Sequence, residues 1–409
     1  MLLFENTKQK LLYYLKILGS PFKKFVSTGE LIEELGLVQS RQKLLDSIIE
    51  IIENNENFVL PIIGEVGIGK THLFWALKNK LYYYNTVYVS LENVYKKFYY
   101  NTYSEFIENL GVEPLRYIAN QLCNDWGALE RKFGFFHLAD INKVRKTAFK
   151  CWSTKFEDED ALKDIINAIT AHQLDPYKKI DAERWLLGEL MDVRELSRLN
   201  LVNDLRKEKN SFSMLKILIE NSKLGSVLFI DDFEKILVMI KSAEEEIDET
   251  EEVFDPSWLY GTRDRNLPEV RTAKKILDKI LNLQEIHGIR IIITLNSIDS
   301  FEEIKAMIKE RNRKLLLFFK DPLFLLRFDE NDIYQFYKKT MEQFLENINF
   351  LEFLKEYPDS YYPLNKKVLK YIYNKSNGNP REIIKLLIKI FNEIIFSYED
   401  LDNILVNYE

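Results

Sequence analysis

Short runs rich in apolar, β-branched and aromatic residues recur along the chain, separated by longer segments in which apolar residues return at helical spacing. Such runs predict strands whose two faces are both covered by helices, as in a parallel sheet. In the first run, Pro61 lacks the N–H that an inner strand normally donates. The pattern therefore predicts an α/β fold. The five runs are Phe58–Ile63, Thr86–Leu91, Ser226–Ile230, Ile289–Thr294 and Leu323–Phe328.

Segments with helical spacing fill the intervals between these runs. One precedes the first run (Val38–Ile52), another follows it (Lys70–Tyr83), and several lie between about residues 99 and 223. The chain from about Asp329 onward is also helical in pattern, with a turn at Gly378-Asn379-Pro380. We therefore expect an N-terminal arm at 1–36, a core at 37–330 with a helical insertion at about 99–223, and a C-terminal helical lid at 331–409.

A glycine-rich segment between the first run and its following helix fits the pattern G-x-x-x-x-G-K-[ST] in full. Its glycines let successive backbone N–H groups turn toward phosphate oxygens, and the helix adds its positive dipole end. Lys70 would reach the β- and γ-phosphates of ATP, Thr71 would ligate Mg²⁺, and His72 extends the segment. The alternative is a glycine-rich turn before an ordinary helix. The motif residues are Gly64, Glu65, Val66, Gly67, Ile68, Gly69, Lys70 and Thr71.

Acidic residues follow the third run directly, as in the second half of a P-loop ATPase site. Asp231 would hold Mg²⁺, and Asp232 would orient or deprotonate the attacking water. Glu234 is a second candidate for the base if Asp232 cannot reach. Two acids at a strand end can also simply cap the next helix, and this alternative stays open.

Two further polar residues complete the candidate site. Asn296 comes just after the fourth run, where an amide could hold the water beside the γ-phosphate. Arg381 opens a helix after Gly378-Asn379-Pro380 and could touch the γ-phosphate bound by the same subunit. The alternatives are a turn asparagine and an exposed arginine in the first turn of a helix.

Composition limits the remaining possibilities. The 409 residues are 46% hydrophobic and 30% charged, with a net charge of -7. Cys123 and Cys151 are too few for a disulfide framework, and the four histidines show no metal-ligand spacing. The sequence shows no signal-peptide pattern and no apolar stretch long enough to span a bilayer, so we expect a cytoplasmic protein. An acidic run, Glu244–Glu252, predicts a solvated loop, with a partner-docking role as the alternative.

Because the chain is acidic overall, any contact with nucleic acid must be local. Tyr95–Tyr100 interleaves lysines with aromatic residues, a combination suited to phosphate contact and base stacking. A second candidate is a basic stripe on predicted helices of the insertion. Aromatic residues at helical spacing are also typical of a core, so both candidates have a structural alternative. The stripe comprises Lys143, Arg145, Lys146, Lys150 and Lys155.

The glycine-rich motif, Asp231-Asp232, Asn296 and Gly378-Asn379-Pro380-Arg381, in this order, resemble Walker A, Walker B, sensor 1 and sensor 2 of AAA+ ATPases. The particular residues in these motifs are similar to those of the branch with origin-recognition ATPases, bacterial initiators and STAND ATPases. The resemblance implies ATP hydrolysis at the interface of a homo-oligomer. Arg311 or Arg313 would then be the candidate finger that reaches a neighbouring subunit; the alternative is a basic solvated helix end.

A narrower resemblance rests on Glu183–Glu189 and Arg194-Glu195-Leu196, which look like the ATP-binding domain of BREX phage-defence systems and related archaeal proteins. The leading hypothesis is an AAA+ protein that couples ATP turnover to assembly on, or remodelling of, DNA or a DNA-bound partner. The alternative is an ATP-gated switch or scaffold with slow turnover that recruits protein partners. A small-molecule phosphotransferase fits poorly, because it would need neither Arg381 nor a long helical tail.

Overall fold

The structure, a computed structural model, describes residues 6–22, 38–91, 97–132, 135–138, 140–239, 268–358 and 360–409. Five strands form one parallel sheet in the order β2-β5-β6-β1-β7, so two later strands lie between the first two of the chain. The predicted α/β class is confirmed. The strands of this sheet are β1 (Phe58–Ile63), β2 (Tyr84–Ser90), β5 (Gly225–Asp231), β6 (Ile289–Leu295) and β7 (Leu323–Phe324).

Helices precede, separate and follow these strands. Those before β5 are α1 (Thr7–Leu18), α2 (Gln39–Asn54), α3 (Lys70–Lys80), α4 (Phe98–Leu110), α5 (Val112–Asp125), α6 (Ile141–Trp152), α7 (Glu159–Leu174), α8 (Lys179–Leu186), α9 (Val193–Leu199) and α10 (Glu208–Asn221). Those after β5 are α11 (Pro268–Leu283), α12 (Ile298–Asn312), α13 (Glu330–Asn347), α14 (Glu352–Glu356), α15 (Lys366–Ser376), α16 (Pro380–Phe396) and α17 (Leu401–Val406). A 3₁₀ helix, Arg313–Phe318, extends α12.

Every residue of β1 and β6 is buried, as expected for inner strands covered on both faces. Pro61 is accommodated in β1 because the hydrogen bonds to the following segment use residues two positions before and after it. Lys320 N–H donates to the Val59 carbonyl at 2.9 Å, and Leu325 N–H donates to the Ile63 carbonyl at 2.8 Å. The missing donor therefore does not prevent this segment from forming a buried strand.

The last strand is shorter than the pattern predicts. The run Leu323–Phe328 forms a strand only at Leu323–Phe324, which pair with Ile62 and Ile63. A parallel strand extends only as far as its neighbour, and β1 ends at Ile63, where the glycine-rich loop begins. Leu326 is 68% exposed, whereas Leu325 and Phe328 are buried, so this half of the run contributes to the core without forming a strand. The helix after β1 also ends earlier than expected, at Lys80 rather than Tyr83.

The chain divides into two compact units. The first comprises Met1–Asn54, Ile62–Lys80 and Leu323–Glu409, and the second comprises Asn55–Pro61 and Leu81–Pro322. In the first unit, Leu11 and Leu15 of α1 are fully buried in the same core as the C-terminal helices. That core is rich in aromatic residues, with Phe22 packed on Phe336, Tyr337 and Phe391. The domain boundaries expected from the sequence stay predictions.

In the second unit, the expected insertion consists of helices α4 to α10 and one hairpin. The hairpin pairs β3 (Leu129–Lys132) with β4 (Phe135–Leu138) in antiparallel register. The acidic run Glu244–Glu252 lies outside the described residues. Among the residues that are described, no helix is long and apolar enough to cross a membrane.

Candidate functional site

The glycine-rich loop connects β1 to α3 in the first unit, and α3 begins at Lys70 as the motif requires. Gly67 and Gly69 have φ angles of 81° and 105°, a left-handed region that a side chain would disfavour. A Cβ on Gly64 would lie 2.9 Å from Ile68 Cγ2, so this position also demands glycine. The Lys70 ammonium folds back over the loop and donates to the Gly64 carbonyl at 2.7 Å. The loop thus has the glycine-dependent turns that the motif predicts, with a buried cation held above it.

The turn before α16 lies directly on this loop. Asn379 Nδ2 donates to the Val66 carbonyl at 3.0 Å, and Arg381 N–H donates to the Gly67 carbonyl at 3.2 Å. A Cβ on Gly67 would come within 3.1 Å of Arg381 Cβ, so the arginine stem packs on the loop. The sequence singled out Arg381 for its side chain, whereas two backbone carbonyls of the loop bind the turn that carries it. The structure therefore brings Arg381 to the glycine-rich loop.

Asn379 has a second role at the same position. Its Oδ1 accepts from Arg381 N–H at 3.1 Å and from Glu382 N–H at 3.4 Å, so the side chain is also the N-cap of α16. Pro380 occupies the first helical position, where a missing N–H has no cost. Sequence reasoning treated Asn379 as a turn residue, although an asparagine before proline at a helix start indicates a cap.

Two arginines that sequence reasoning missed also hold the loop. Arg327 forms an ion pair with Glu65 and donates to the Asn377 carbonyl at 3.2 Å. Arg41, from α2, donates to the carbonyls of Ile68 and Leu326. Burial lowers the pKa of Arg41 to about 10, which leaves it charged at neutral pH. Neither residue belongs to a motif, so only their position next to the loop in space identifies them.

His72, counted with the loop from the sequence, lies in the first turn of α3. Burial, and after it the positive charge of Arg41, lower the pKa of His72 to about 4. The imidazole is therefore neutral at pH 7 and adds no charge to the loop.

The acidic candidates lie in the second unit. Asp231 ends β5 and is 3% exposed. Its carboxylate accepts from Tyr88 OH at 2.8 Å, from the Thr294 hydroxyl and from Asp232 N–H at 3.1 Å. Donors from β2, from β6 and from the next residue along the chain thus hold the buried carboxyl group in one orientation.

The two candidates for the base have different partners. Ser90 Oγ, at the end of β2, donates to Asp232 Oδ2 at 3.1 Å, and Asp232 has a left-handed φ of 57°. Glu234, which is 9% exposed, accepts a hydrogen bond from the side-chain amide of Asn296. The structure therefore brings Asn296 together with Glu234, the acid that the sequence ranked second. Asp231, Asp232, Glu234 and Asn296 form one cluster in this unit.

The two candidate finger arginines lie at the end of α12. Arg311 forms an ion pair with Asp278 and donates to the Lys274 carbonyl at 2.8 Å, both on α11. Arg313 starts the 3₁₀ helix and is exposed. Arg311 is thus engaged within its own chain, and a role for either arginine in a neighbouring subunit stays a prediction.

Residues of the narrower resemblance hold the insertion together. Glu183 accepts two hydrogen bonds from Arg116, at 2.7 and 3.1 Å, and contacts the buried His172 at 2.9 Å. The Arg116 guanidinium holds the pKa of Glu183 below its usual range. Trp185 is fully buried, and its indole N–H donates to the Asn203 carbonyl at 3.1 Å. These contacts give the segment a structural role, and its functional resemblance stays a prediction.

The two basic candidates for nucleic acid have different outcomes. Tyr95 and Lys96 lie outside the described residues, while Phe98 and Tyr99 are buried and belong to the core. Lys143, Lys146 and Lys150 are exposed on α6, as a basic stripe requires. The stripe on α6 therefore stays a candidate surface.

No protein-family model matches the chain, and no curated protein matches it. Among solved structures, the chain resembles the Walker-type ATPase PABY2304 of Pyrococcus abyssi with 13% sequence identity and a TM-score of 0.39. The alignment covers 90% of this chain and 70% of that one. A similarity this remote assigns neither a family nor an activity to the chain.

Proposed function

We propose that the chain is an AAA+ ATPase that binds ATP with Mg²⁺, hydrolyses it, and couples turnover to assembly on, or remodelling of, DNA or a DNA-bound partner. The observation that supports this most is the direct contact between the glycine-rich loop and the turn that opens α16. Any change in the loop on loss of the γ-phosphate would reach the C-terminal helices through Asn379 and Arg381. That link is what a motor or switch needs and a simple nucleotide-binding turn does not.

The residues fit the two ligands by their chemistry. Lys70 and the loop N–H groups suit the phosphates, while the Thr71 hydroxyl and the Asp231 carboxylate are the hard oxygen ligands that Mg²⁺ prefers. The metal would supply charge neutralisation at the phosphates. Arg381 would add a second positive charge at the γ-phosphate.

The base that activates water is either Asp232 or Glu234. Asn296 contacts Glu234 and fixes its orientation, which favours Glu234 as the acid that works together with the predicted water-holding asparagine. Ser90 holds Asp232 toward β2, which favours an orienting role for that residue. The sequence alone favours Asp232, so the two assignments predict opposite results in the same experiment.

The test uses purified wild type and three variants in a steady-state assay of phosphate release and a binding assay with fluorescent ATP. We expect Lys70→Ala to abolish ATP binding. Glu234→Gln should bind ATP with normal affinity and lose turnover by at least about 100-fold, the range that a positioned base supplies. Asp232→Asn should reduce turnover less. A wild type that neither binds nor hydrolyses ATP would refute the proposal, and a silent Glu234→Gln would return the base to Asp232.

The alternative, a slow ATP-gated switch that recruits protein partners, is also favoured by a specific observation. Both candidate bases are engaged by neighbouring side chains, Asp232 by Ser90 and Glu234 by Asn296, and an engaged carboxylate must rearrange before it can activate water. Mass photometry with a slowly hydrolysed ATP analogue separates the two functions. Nucleotide-dependent oligomers with DNA-stimulated turnover support the first, whereas a monomer with tight binding and negligible turnover supports the second.

A further inference from the structure

One face of α15 forms an open, basic groove in the first unit. The groove has a volume of about 520 Å³, and its lining residues recur at helical spacing apart from one residue of the C-terminal segment. They supply three ammonium groups, one amide, one phenol ring and one carboxylate. The lining residues are Lys367, Lys370, Tyr371, Asn374, Lys375 and Glu409.

The charge of this region is opposite to that of the whole chain. Between Lys366 and Glu393 there are seven basic and two acidic side chains, while the chain carries a net charge of -7. Lys367, Lys370 and Lys375 are exposed, and they lie on one side of α15 over about 12 Å at the rise of an α-helix. A row of cations on an acidic protein is suited to a polyanion with regularly spaced charges.

The ion pairs and the hydrogen bond that these lysines form within the chain are weak enough for a phosphate group to replace them. Lys367 pairs with Glu409 at 3.0 Å, Lys370 lies 4.0 Å from Glu330, and Lys375 donates to Tyr371 OH at 3.0 Å. Exposed pairs of this kind contribute about 0–1 kcal/mol, because both charges remain solvated. A phosphate group can therefore replace them at little cost.

We infer that the α15 groove binds the phosphodiester backbone of DNA. The lysines would contact successive phosphates, Asn374 would donate a hydrogen bond, and the Tyr371 ring would lie against a sugar or base. This deepens the proposed function by naming the partner surface, although binding at the groove itself requires no nucleotide.

The groove is also close in sequence to the turn that contacts the glycine-rich loop. Helix α15 ends at Ser376, and Asn379, three residues later, contacts the glycine-rich loop. Asn379 N–H donates to the Ser376 carbonyl at 3.0 Å, and Arg327 binds the Asn377 carbonyl between them. DNA bound along α15 would therefore act on a short, hydrogen-bonded segment that ends at the loop.

The test measures fluorescence anisotropy of labelled oligonucleotides of equal length, one single-stranded and one duplex, between 50 and 200 mM salt. The groove variant carries Lys367→Ala, Lys370→Ala and Lys375→Ala. Its matched control carries Lys143→Ala, Lys146→Ala and Lys150→Ala on α6, which removes the same charge from another exposed helix. Circular dichroism and thermal unfolding establish that both variants fold.

Three phosphate contacts contribute a salt slope of about 2.7, which is about 40-fold in affinity over this fourfold change in salt. We expect the groove variant to lose that part of the salt dependence and the control to keep it. Glu409→Gln, which removes the acid that lines the groove, should bind more tightly than wild type. The oligonucleotide with the larger loss in the groove variant identifies the strand form that the groove takes.

Three results would overturn the inference: no binding by wild type at 50 mM salt, equal losses in the groove variant and the control, or loss in the control alone, which would assign DNA to α6. Lys70→Ala separates this inference from the proposed function. If that variant and wild type both lack ATPase activity but bind DNA through the groove, the proposed function fails and the groove assignment stands.

Discussion

Asn379 offers a sharp test of the contact between the glycine-rich loop and α16, because the oxygen and the nitrogen of its side-chain amide bind different groups. Its Oδ1 caps α16 through Arg381 N–H and Glu382 N–H, while its Nδ2 binds the Val66 carbonyl. Asn379→Asp keeps the capping oxygen and replaces the donor to Val66 with an oxygen, which cannot donate and which repels the carbonyl oxygen. Asn379→Ala removes both. The pair of variants therefore separates helix capping from loop attachment.

The expected magnitudes follow from the contacts. Loss of an N-cap side chain costs about 1 kcal/mol, and loss of the hydrogen bond to the solvent-accessible Val66 carbonyl also costs about 1 kcal/mol. Asn379→Ala should therefore destabilise this contact by about 2 kcal/mol. Asn379→Asp should cost at least about 1 kcal/mol at the loop and nothing at the cap, because aspartate caps as well as asparagine and its charge suits a helix N-terminus.

Amide hydrogen exchange followed by mass spectrometry reads the two effects at different peptides. A loss of about 1 kcal/mol corresponds to about fivefold faster exchange where local opening governs it. In Asn379→Asp, we expect faster exchange in the peptide that contains Val66–Gly69 and unchanged exchange at the first turn of α16. In Asn379→Ala, both peptides should exchange faster.

Two outcomes would refute this reasoning. If Asn379→Asp left loop exchange at the wild-type rate, the bond to Val66 would contribute nothing to loop position. If Asn379→Asp instead loosened the first turn of α16 as much as alanine does, Asn379 would not be its cap. Neither outcome depends on nucleotide, so the result stands apart from the proposed ATPase activity.

Two further predictions concern the same unit. Gly378→Ala should lower the free energy of unfolding, measured by urea denaturation, by about 2 kcal/mol more than Gly19→Ala does: both glycines have positive φ, but a Cβ on Gly378 would lie 2.3 Å from the Phe328 carbonyl oxygen, and Gly19 has nothing within 4 Å. Equal effects would show that backbone conformation alone matters. His72, whose folded pKa is lowered to about 4 by burial and then by Arg41, favours the fold above pH 6.5 and loses this contribution as pH falls toward 4. Between neutral pH and pH 5, the free energy of unfolding should therefore drop by about 2 kcal/mol more in wild type than in His72→Gln. Parallel pH profiles of the two proteins would contradict the lowered pKa of His72.

The elements that the sequence predicted well are those whose signal is local. The glycine-rich loop, the start of α3 at Lys70 and the buried strands before Gly64 and Asp232 all follow from runs of neighbouring residues. The length of β7 could not be predicted in this way. A strand ends where its partner ends, and the residues of the apolar run Leu323–Phe328 do not indicate where β1 ends.

The side-chain partners of the candidate residues could not be predicted from the sequence. Asn296 was expected to hold the water beside the γ-phosphate, and its position after β6 does not reveal that Glu234, rather than Asp232, accepts its hydrogen bond. The choice depends on the left-handed turn at Asp232, which rotates the following residues away from the strand direction. A single backbone angle of this kind has no clear sequence signature, since aspartate occurs on both sides of the Ramachandran plot.

The contacts of Arg41, Arg327 and Asn379 indicate how the loop and the C-terminal helices act on each other. Arg327 and Asn379 bind backbone carbonyls or the exposed Glu65 rather than the apolar core, so their contacts can form and break without disturbing buried packing, whereas the Arg41 guanidinium also lies over the buried Phe328 ring. The helices themselves share a core with α1 that is fully buried at Leu11, Leu15 and Phe391. A rigid helical body held to a glycine-rich loop by a few polar bonds can move as a unit when those bonds change. The polar contacts, each of about 1 kcal/mol, are therefore where a bound nucleotide or bound DNA would shift the balance between conformations.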